Sequence, residues 1–387
     1  MLGFYKSLPQ KVRSSLSLAF KAGLTIGAFY LLLTHSIDDG EGGKISIASA
    51  IASHVDDIEL AHFLPLVIAA AAVKLVGILC SMFRWHLLLQ GQGIRFNFGH
   101  IFGSFLIGRF LGTFLPSTVG LDSYKLYDAA RFSERVVEPA AATAVEKVMG
   151  LSGLFLTFLV TLPLGYPILY DVLGENAGPI IGISVAISVG IVGGLFLLLF
   201  RPGLVEWFMG FMPAFGRRRV EAFISRVSRA ATAYRGKGKL LLTVIGLSFV
   251  VHFATAVMYY PTALAVGAVD VEFWYVAFGS SVQIFATVLS PITIGGEGIR
   301  EAAQMVMLQE HMGAVQSVLS AALGFWAAEA PTLFGAFFWW GRRKSYTPKV
   351  IEVSAPTEPN AAPSAESNAD VAERLADPES NAESTSK

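Results

Sequence analysis

The sequence predicts an all-α polytopic membrane protein with about six full spans and two opposed re-entrant helical hairpins in an inverted repeat. Three observations support this prediction. Of the 387 residues, 53% are hydrophobic and only 15% are charged, which is too apolar for a soluble protein of this length. Long apolar runs recur along the chain, and one segment containing proline and glycine occurs twice.

Six apolar runs are long enough to cross about 30 Å of hydrocarbon as helices. They cover residues 17–34, 62–86, 139–166, 178–200, 240–267 and 316–340. Lys21 interrupts the first run and no small-residue cleavage site follows, so we expect an uncleaved span rather than a signal peptide. The predicted membrane domain is 1–344, and the polar stretch 345–387 is predicted to be a disordered, acidic cytoplasmic tail.

The charges of the loops predict the orientation, because short loops rich in Lys and Arg stay in the cytoplasm. The loop 201–239 is strongly basic and the loop 35–61 is acidic. If all eight apolar runs crossed fully, the basic loop would lie outside. The conflict disappears if 99–131 enters and leaves from the cytoplasm and 273–312 enters and leaves from outside. We therefore expect cytoplasmic N- and C-termini in a protein of the inner membrane.

The repeated segment reads LPSTVGLDSYK at 115–125 and SPITIGGEGIR at 290–300. Proline breaks a helix, glycine permits a turn and threonine can satisfy a freed backbone group, which are the needs of a re-entrant tip. The predicted tips comprise Pro116, Thr118, Gly120 and Asp122 in the first copy and Pro291, Thr293, Gly295 and Gly296 in the second. Transporters with inverted repeats bind substrate where such discontinuous helices meet. Chance similarity between two segments is the alternative.

Ionisable residues at membrane depth mark a predicted headgroup site, since a charge facing lipid costs several kcal/mol. The primary candidates are Arg109, Lys125, Glu146, Glu297 and Arg300, and the secondary candidates are Lys74, His252, Glu301 and Glu329. Arginine offers a planar fork to phosphate or carboxylate. The structural alternatives are an ion pair of Arg109 with Glu146 or Asp122, and snorkelling of Lys125 to the interface.

Three segments carry a family resemblance: GRFLGTFLPSTVGLDSYKLYDAAR, AAATAVEKVMGL and LSPITIGGEGIREAAQMVML. Together they resemble the flippase-like integral membrane family related to the transmembrane domain of lysylphosphatidylglycerol synthase. The resemblance covers most of 10–340. It implies translocation of charged lipids, either aminoacylated phosphatidylglycerol or polyprenyl-linked and other glycolipids.

The resemblance also implies which positions carry the family motifs. These are Arg109, Pro116, Gly120, Asp122 and Lys125, then Glu146 and Lys147, then Pro291, Gly295, Glu297, Arg300 and Glu301. The chain departs from the family at Leu121, where a glycine is more usual, and at Lys125, where an arginine is more usual. The synthase continues into a soluble aminoacyltransferase domain, whereas a disordered tail is expected here, so we expect no synthesis of aminoacyl lipid by this chain.

The predicted function is therefore lipid transport, without enzymatic activity, cofactor or metal. The sequence contains no nucleotide-binding motif of the form G-x-x-x-x-G-K-[ST]. The expected partners are anionic or glycosylated membrane lipids and a glycosyltransferase or lipid synthase, with no nucleic acid, and a homo-oligomer is compatible with these features. The alternatives are an integral-membrane enzyme acting on a lipid-linked sugar or phosphate, and a membrane accessory subunit that recruits such an enzyme.

Overall fold

The computed structural model describes residues 10–38, 43–56, 58–114, 119–200, 232–234, 236–289, 293, 296–342, 346 and 350–353. The helices, in chain order, are α1 (Gln10–Thr34), α2 (Ile47–Val55), α3 (Leu60–Gly91), α4 (Phe98–Phe114), α5 (Val119–Ser133), α6 (Val137–Thr161), α7 (Tyr166–Leu173), α8 (Ala177–Phe200), α9 (Gly238–Ala265), α10 (Phe273–Leu289), α11 (Ile299–Met312), α12 (Ala314–Glu329) and α13 (Gly335–Gly341). The strands are β1 (Ser36–Asp38), β2 (Lys44–Ser46), β3 (Ile94–Phe96) and β4 (Val350–Val353), and they form the antiparallel pairs β1·β2 and β3·β4.

Among the described residues, four helical stretches are long and apolar enough to cross a membrane. They are Leu60–Gly91, Val137–Leu197, Gly238–Ala265 and Ala314–Gly341. The second is 61 residues long, whereas about 20 residues suffice for one crossing. Short 3₁₀ turns at Leu162–Gly165 and Gly174–Asn176 interrupt it. The apolar stretches Ala19–Thr34 and Phe273–Val288 are shorter. The chain is thus an all-α, multi-pass membrane protein.

Helix α9 lies at the centre of this bundle, where it packs against α3, α6, α10 and α12. Its contact with α6 is especially close, because a Cβ atom on Gly153 would collide with the backbone of Ser248. A residue without a side chain lets two membrane helices approach to backbone contact. This close packing brings polar groups of α9 next to those of α3 and α6.

Two helix pairs contain the copies of the repeated segment. Helix α4 packs on α5, and α10 packs on α11. At the open end of the first pair, the rings of His100 and Phe132 lie 5.5 Å apart, and at the open end of the second the rings of Tyr275 and His311 lie 4.7 Å apart. Each pair therefore returns to the level from which it starts.

The connection between α3 and α4 forms a small sheet with residues near the end of the chain. In this sheet Ile94 lies opposite Val353 and Arg95 opposite Glu352. The stretch 345–387 is predicted to be disordered, so β4 corrects that prediction for 350–353. Val350, Ile351 and Val353 favour strands, but the polar composition of the whole stretch outweighs these three residues in a prediction from sequence. The prediction of disorder for 354–387 lies outside the described residues.

The end of the basic loop 201–239 is fastened to the C-terminus of α3. The Tyr234 hydroxyl donates to the carbonyl of Leu88 at 2.8 Å, and Lys237 Nζ donates to the carbonyl of Gly91 at 2.5 Å. Free carbonyls at a helix C-terminus favour such donors and a positive charge. Residues 201–231 of this loop lie outside the described part of the chain.

Candidate functional site

A buried ionic cluster joins α3, α5 and α6. The carboxylate of Glu146 contacts Arg84 Nη2 at 3.0 Å with one oxygen and Lys125 Nζ at 2.7 Å with the other. All three residues are buried, with Lys125 only 2% exposed. The Lys125 ammonium also lies 4.8 Å from the ring centre of Trp85, a distance at which the ring attracts a cation. Such pairing offsets part of the free-energy cost of burying these charges away from water.

Two further residues extend this cluster towards the surface. Asp122 Oδ1 lies 3.5 Å from Lys125 Nζ, and the other carboxylate oxygen of Asp122 forms an ion pair with Lys147. The Lys147 side chain is 54% exposed, so this end of the cluster is open. The cations Arg84, Lys125 and Lys147 outnumber the carboxylates Asp122 and Glu146 by three to two. The cluster thus carries a net charge of +1.

A second ionic group lies between α4 and the end of α12. Arg109 Nη2 contacts Glu329 Oε1 at 2.8 Å, across 220 residues of sequence. The sequence alternatives for Arg109 were Glu146 and Asp122, and the structure shows an ion pair with Glu329. Lys74 interacts electrostatically with both Arg109 and Glu329 and donates to Thr255 Oγ1 at 2.9 Å. Two cations therefore share the neighbourhood of one carboxylate.

A third ionic group begins α11. Arg300 Nη2 contacts Glu301 Oε1 at 2.6 Å, and the other oxygen of Glu301 accepts from the backbone N–H of Gly298 at 2.7 Å. Gly298 has φ +80°, a left-handed conformation that favours glycine. The Arg300 guanidinium stacks on Phe325 at 4.3 Å. Glu301 thus caps the helix and fixes the arginine at once.

The charge of this third group has the opposite sign to that of the first. Glu297 is half-buried and interacts electrostatically with Arg300 and Glu301. One cation therefore faces two carboxylates, and the group carries a net charge of −1.

Buried polar atoms around the third group can form further hydrogen bonds. Four buried side-chain oxygens in α10, α11 and the segment between them have no hydrogen-bond partner among the described residues, and they belong to Ser280, Gln283, Thr293 and Gln304. A buried polar atom without a partner costs free energy, so a polar ligand at these atoms would be stabilised.

A stripe of polar residues on α9 runs between these groups. Its members are Ser248, His252, Thr255, Tyr259 and Thr262, spaced by three or four residues and hence on one face of the helix. The stripe rises about 21 Å, at ~1.5 Å per residue. Its contacts are Ser248 with Arg84 at 3.0 Å, Thr255 with Lys74 at 2.9 Å, Tyr259 with Gln283 at 3.2 Å and Thr262 with Ser320 at 3.3 Å.

The stripe on α9 connects the first ionic group to the third. His252 interacts electrostatically with both Arg84 and Lys74 and hydrogen-bonds the backbone of Gly150. At the other end, Ser320 also accepts from Gln304 Nε2 at 3.1 Å, on the helix that carries Arg300. A polar track thus leads along α9 from the first ionic group to the third.

The structure distributes the predicted site residues over separate groups. Lys125 and Glu146 meet in the first group, Arg109 pairs with Glu329 in the second, and Arg300 pairs with Glu301 in the third. Of the predicted tip residues, Gly120 is buried and Gly296 has φ +78°. Pro116, Thr118, Pro291 and Gly295 lie outside the described residues.

Sequence reasoning missed Arg84 and most of the stripe on α9. Arg84 lies near the end of the apolar run 62–86, where an arginine at the membrane interface is the usual interpretation. Thr255 and Ser248 also donate to backbone carbonyls four residues earlier, at 2.8 Å each, a common arrangement that gives no functional signal in a sequence.

Comparison with known proteins identifies a family for this chain. No curated protein and no solved structure shows significant similarity to the chain. A family model described as the lysylphosphatidylglycerol synthase TM region matches residues 22–334, a range that includes all three ionic groups and the stripe on α9. The resemblance carried by the sequence motifs is thereby confirmed, and the chain belongs to the lysylphosphatidylglycerol synthase TM region family.

Proposed function

We propose that this protein is a lipid transporter of the inner membrane that moves a charged headgroup through the polar interior between α4–α5 and α10–α11. The acyl chains remain in the bilayer, and the cargo is a charged phospholipid or a polyprenyl-linked or other glycolipid. The observation that carries this proposal is the polar stripe on α9. Its length of about 21 Å is most of the roughly 30 Å of hydrocarbon that a headgroup must cross.

Polar side chains at this depth support a path rather than a solid core. Ionisable residues in membrane proteins usually face the bundle interior or a water-filled cavity, because lipid cannot solvate them. Here Ser248, Thr255 and Tyr259 each contact a charged or amide side chain of another helix. A headgroup moving along α9 would exchange one such partner for the next.

The proposed topology has six spans and two re-entrant pairs that enter from opposite faces. Arg342, just after α13, donates to the carbonyl of His100 at 2.6 Å, so the open end of α4–α5 lies at the level where the last span ends. Gly313 alone separates α11 from α12, so the open end of α10–α11 lies at the level where that span begins. The span Ala314–Gly341 contains 28 residues, so the two levels lie about 40 Å apart along it. This separation favours entry of the two helix pairs from opposite faces of the membrane. In this proposal the basic loops lie on the cytoplasmic side, and both termini are cytoplasmic.

The opposite charges of the two halves support a headgroup that carries both signs. In this proposal Arg109 and Lys125 attract the phosphate, while Glu297 attracts a cationic group such as an amine. Arg300 offers a second contact to the phosphate, and Glu146 balances the cations in the first group. An aminoacylated or zwitterionic phospholipid fits this pattern.

Transport can be tested in proteoliposomes that contain the full chain and a trace of fluorescent lipid. Lysyl-phosphatidylglycerol, phosphatidylglycerol, phosphatidylcholine and a polyprenyl-linked glycolipid would be compared, each labelled on an acyl chain. A membrane-impermeant reductant bleaches only the outer leaflet. We expect the wild-type protein to speed bleaching of the inner pool for one charged class, and Lys125→Gln to slow it.

The matched control is Lys239→Gln, since Lys239 is exposed at the start of α9. It should transport like the wild type. Bleaching no faster than in protein-free vesicles for all four lipids would reject the proposal. Chemical conversion of a lipid, detected by mass spectrometry of the same samples, would instead indicate an enzyme.

A further inference from the structure

A polar cavity of about 340 Å³ lies at the open end of the α4–α5 pair and shares no lining residue with the three ionic groups. Its walls are formed by Tyr124, Tyr127, Arg131 and Phe132 of α5 and by Arg342 and Tyr346 beyond α13, with Asp128 at its side. This volume is within the range of small-molecule sites. The cavity contains two arginines and three tyrosines, which is a set of hydrogen-bond donors.

One wall of this cavity is rigid. The Arg342 side chain is 8% exposed, and it donates to the carbonyl of His100 at 2.6 Å, the hydroxyl of Ser104 at 2.7 Å and Asp128 Oδ1 at 3.4 Å. Its guanidinium also lies 4.7 Å from the ring centre of Tyr346. A cation fixed in this way exerts its charge on the cavity without a cost for ordering it on binding.

The negative charge of Asp128 beside the cavity is offset by the groups around it. Asp128 is 4% exposed and accepts from the hydroxyl of Ser104 at 2.5 Å. His100 Nε2 lies 2.8 Å from Asp128 Oδ2, close enough for an ion pair although not aligned as a hydrogen bond. With Arg342 on Oδ1, both carboxylate oxygens of Asp128 have a partner. Arg131 and Arg342 against Asp128 leave a net charge of +1, without counting His100.

The opposite wall is accessible from solvent. Arg131 and Tyr127 are exposed, and Arg131 Nη1 donates to Tyr127 Oη at 3.3 Å, a long and easily exchanged hydrogen bond. Both side chains project from α5 one turn apart. They can therefore turn together onto a ligand that enters the cavity.

We propose that this cavity binds a phosphate ester, with the Arg131 guanidinium and the Tyr127 hydroxyl donating to the phosphate oxygens. A guanidinium matches the geometry of phosphate oxygens better than an ammonium does. Arg342 supplies the fixed positive field, and the rings of Tyr124 and Tyr346 enclose the organic part of the ester. The phosphate belongs either to an anionic phospholipid at the membrane surface or to a soluble ester. The site shares no residue with the proposed transport path, so it stands whether or not transport is found.

Binding would be measured on the purified full chain by two methods. Calorimetric titration with glycerol phosphate and with inorganic phosphate tests the soluble source. Native mass spectrometry from nanodiscs of phosphatidylcholine, with and without phosphatidylglycerol, tests the lipid source. We expect Arg131→Gln to weaken binding by about tenfold or more, and Tyr127→Phe to weaken it by a smaller factor.

The control is Arg95→Gln, which removes the same charge from an exposed position on nearby β3. It should retain binding within about twofold. Titration of soluble phosphate that depends on Arg131 would assign a soluble ester. Phosphatidylglycerol retained by the wild type and lost only in Arg131→Gln would assign a lipid headgroup. If Arg131→Gln and Arg95→Gln behave alike with every probe, the proposal is wrong.

Discussion

Lys125 of α5 and Glu146 of α6 form an ion pair of 2.7 Å in which 1% and 6% of the two side chains are exposed. The same carboxylate also holds Arg84, so one anion serves two buried cations. Glu146→Gln would remove the counter-charge of Arg84 and leave Lys125 with only the more distant Asp122, at 3.5 Å. We expect it to destabilise the protein by about 3–5 kcal/mol, seen as a lower apparent melting temperature in detergent.

The control for this prediction is Lys147→Gln in the next position of α6. Its side chain is half exposed, so the loss should stay within about 1 kcal/mol. Equal losses in the two variants would show that burial of the Glu146 cluster does not determine stability.

Mutation of Glu329 should cost more stability than mutation of Arg109, because Lys74 lies near both residues. Glu329→Gln leaves Arg109 and Lys74 facing each other, whereas Arg109→Gln leaves Lys74 with Glu329 as its counter-ion. We expect Glu329→Gln to cost about 1–3 kcal/mol and Arg109→Gln to cost less. Thermal unfolding of the two single variants and of the double variant would test this order. A larger loss for Arg109→Gln would exclude the repulsion of Lys74 as the cause.

Gly153 should not tolerate a side chain. Gly153→Leu would push α6 away from the backbone of Ser248, at a cost of about 1–3 kcal/mol or more, and disturb the contact between Ser248 and Arg84. Gly246→Leu, on α9 itself, meets nothing within 4 Å and should be tolerated. Yield and melting temperature after purification would compare the two. Similar behaviour would mean that α6 and α9 pack less closely than the contact of Gly153 with Ser248 indicates.

Removing hydroxyls from the stripe on α9 should reduce transport more than stability. In the double variant Thr255→Val, Thr262→Val the contacts to Lys74 and Ser320 are lost while the shape of each side chain is kept. We expect transport in proteoliposomes to fall at least about tenfold, because a moving headgroup loses two successive partners. Thr243→Val is the matched control, since Thr243 is exposed on the same helix and bonds only backbone among the described residues. Unchanged transport in the double variant would show that the headgroup does not move along the stripe.

Opposed entry of the two helix pairs can be tested by labelling with a membrane-impermeant thiol reagent. Cys80 is the single cysteine, so Cys80→Ser provides a background without thiols. We expect Asn97→Cys, beside the open end of α4–α5, to react from the cytoplasmic side. Asp171→Cys should react from the other side, because Asp171 pairs with His311 at the open end of α10–α11. Reaction of both from one side would contradict the opposed arrangement.

The sequence predicted the positions of the helices better than it predicted which side chains pair with each other. The two helix pairs, Phe98–Ser133 and Phe273–Met312, coincide closely with the predicted segments 99–131 and 273–312. Proline and glycine break a helix through local backbone effects, so they can be read from the sequence without knowing what the helix packs against. Their re-entrant placement in the membrane stays a prediction.

The ion pairs could not be predicted in the same way. Arg109 finds Glu329 across 220 residues, and this depends on how α4 and α12 are rotated against each other. Apolar faces do not reveal that rotation in a membrane, because surfaces that face lipid and surfaces that face other helices are both largely apolar. The stripe on α9 was hidden for a related reason, since single Ser and Thr residues are common in membrane helices and only their partners show that they form a track.

The pairing of β3 with β4 has a consequence for biogenesis. The ribosome delivers residues 94–96 long before residues 350–353, and Asp128 likewise waits for Arg342. Until then the open end of α4–α5 lacks its covering strand and its cation. In a nascent chain this half of the bundle therefore stays incomplete, and accessible to proteases and chaperones, until the other half has been synthesised. Maturation of the first pair is thus timed by synthesis of the last helix.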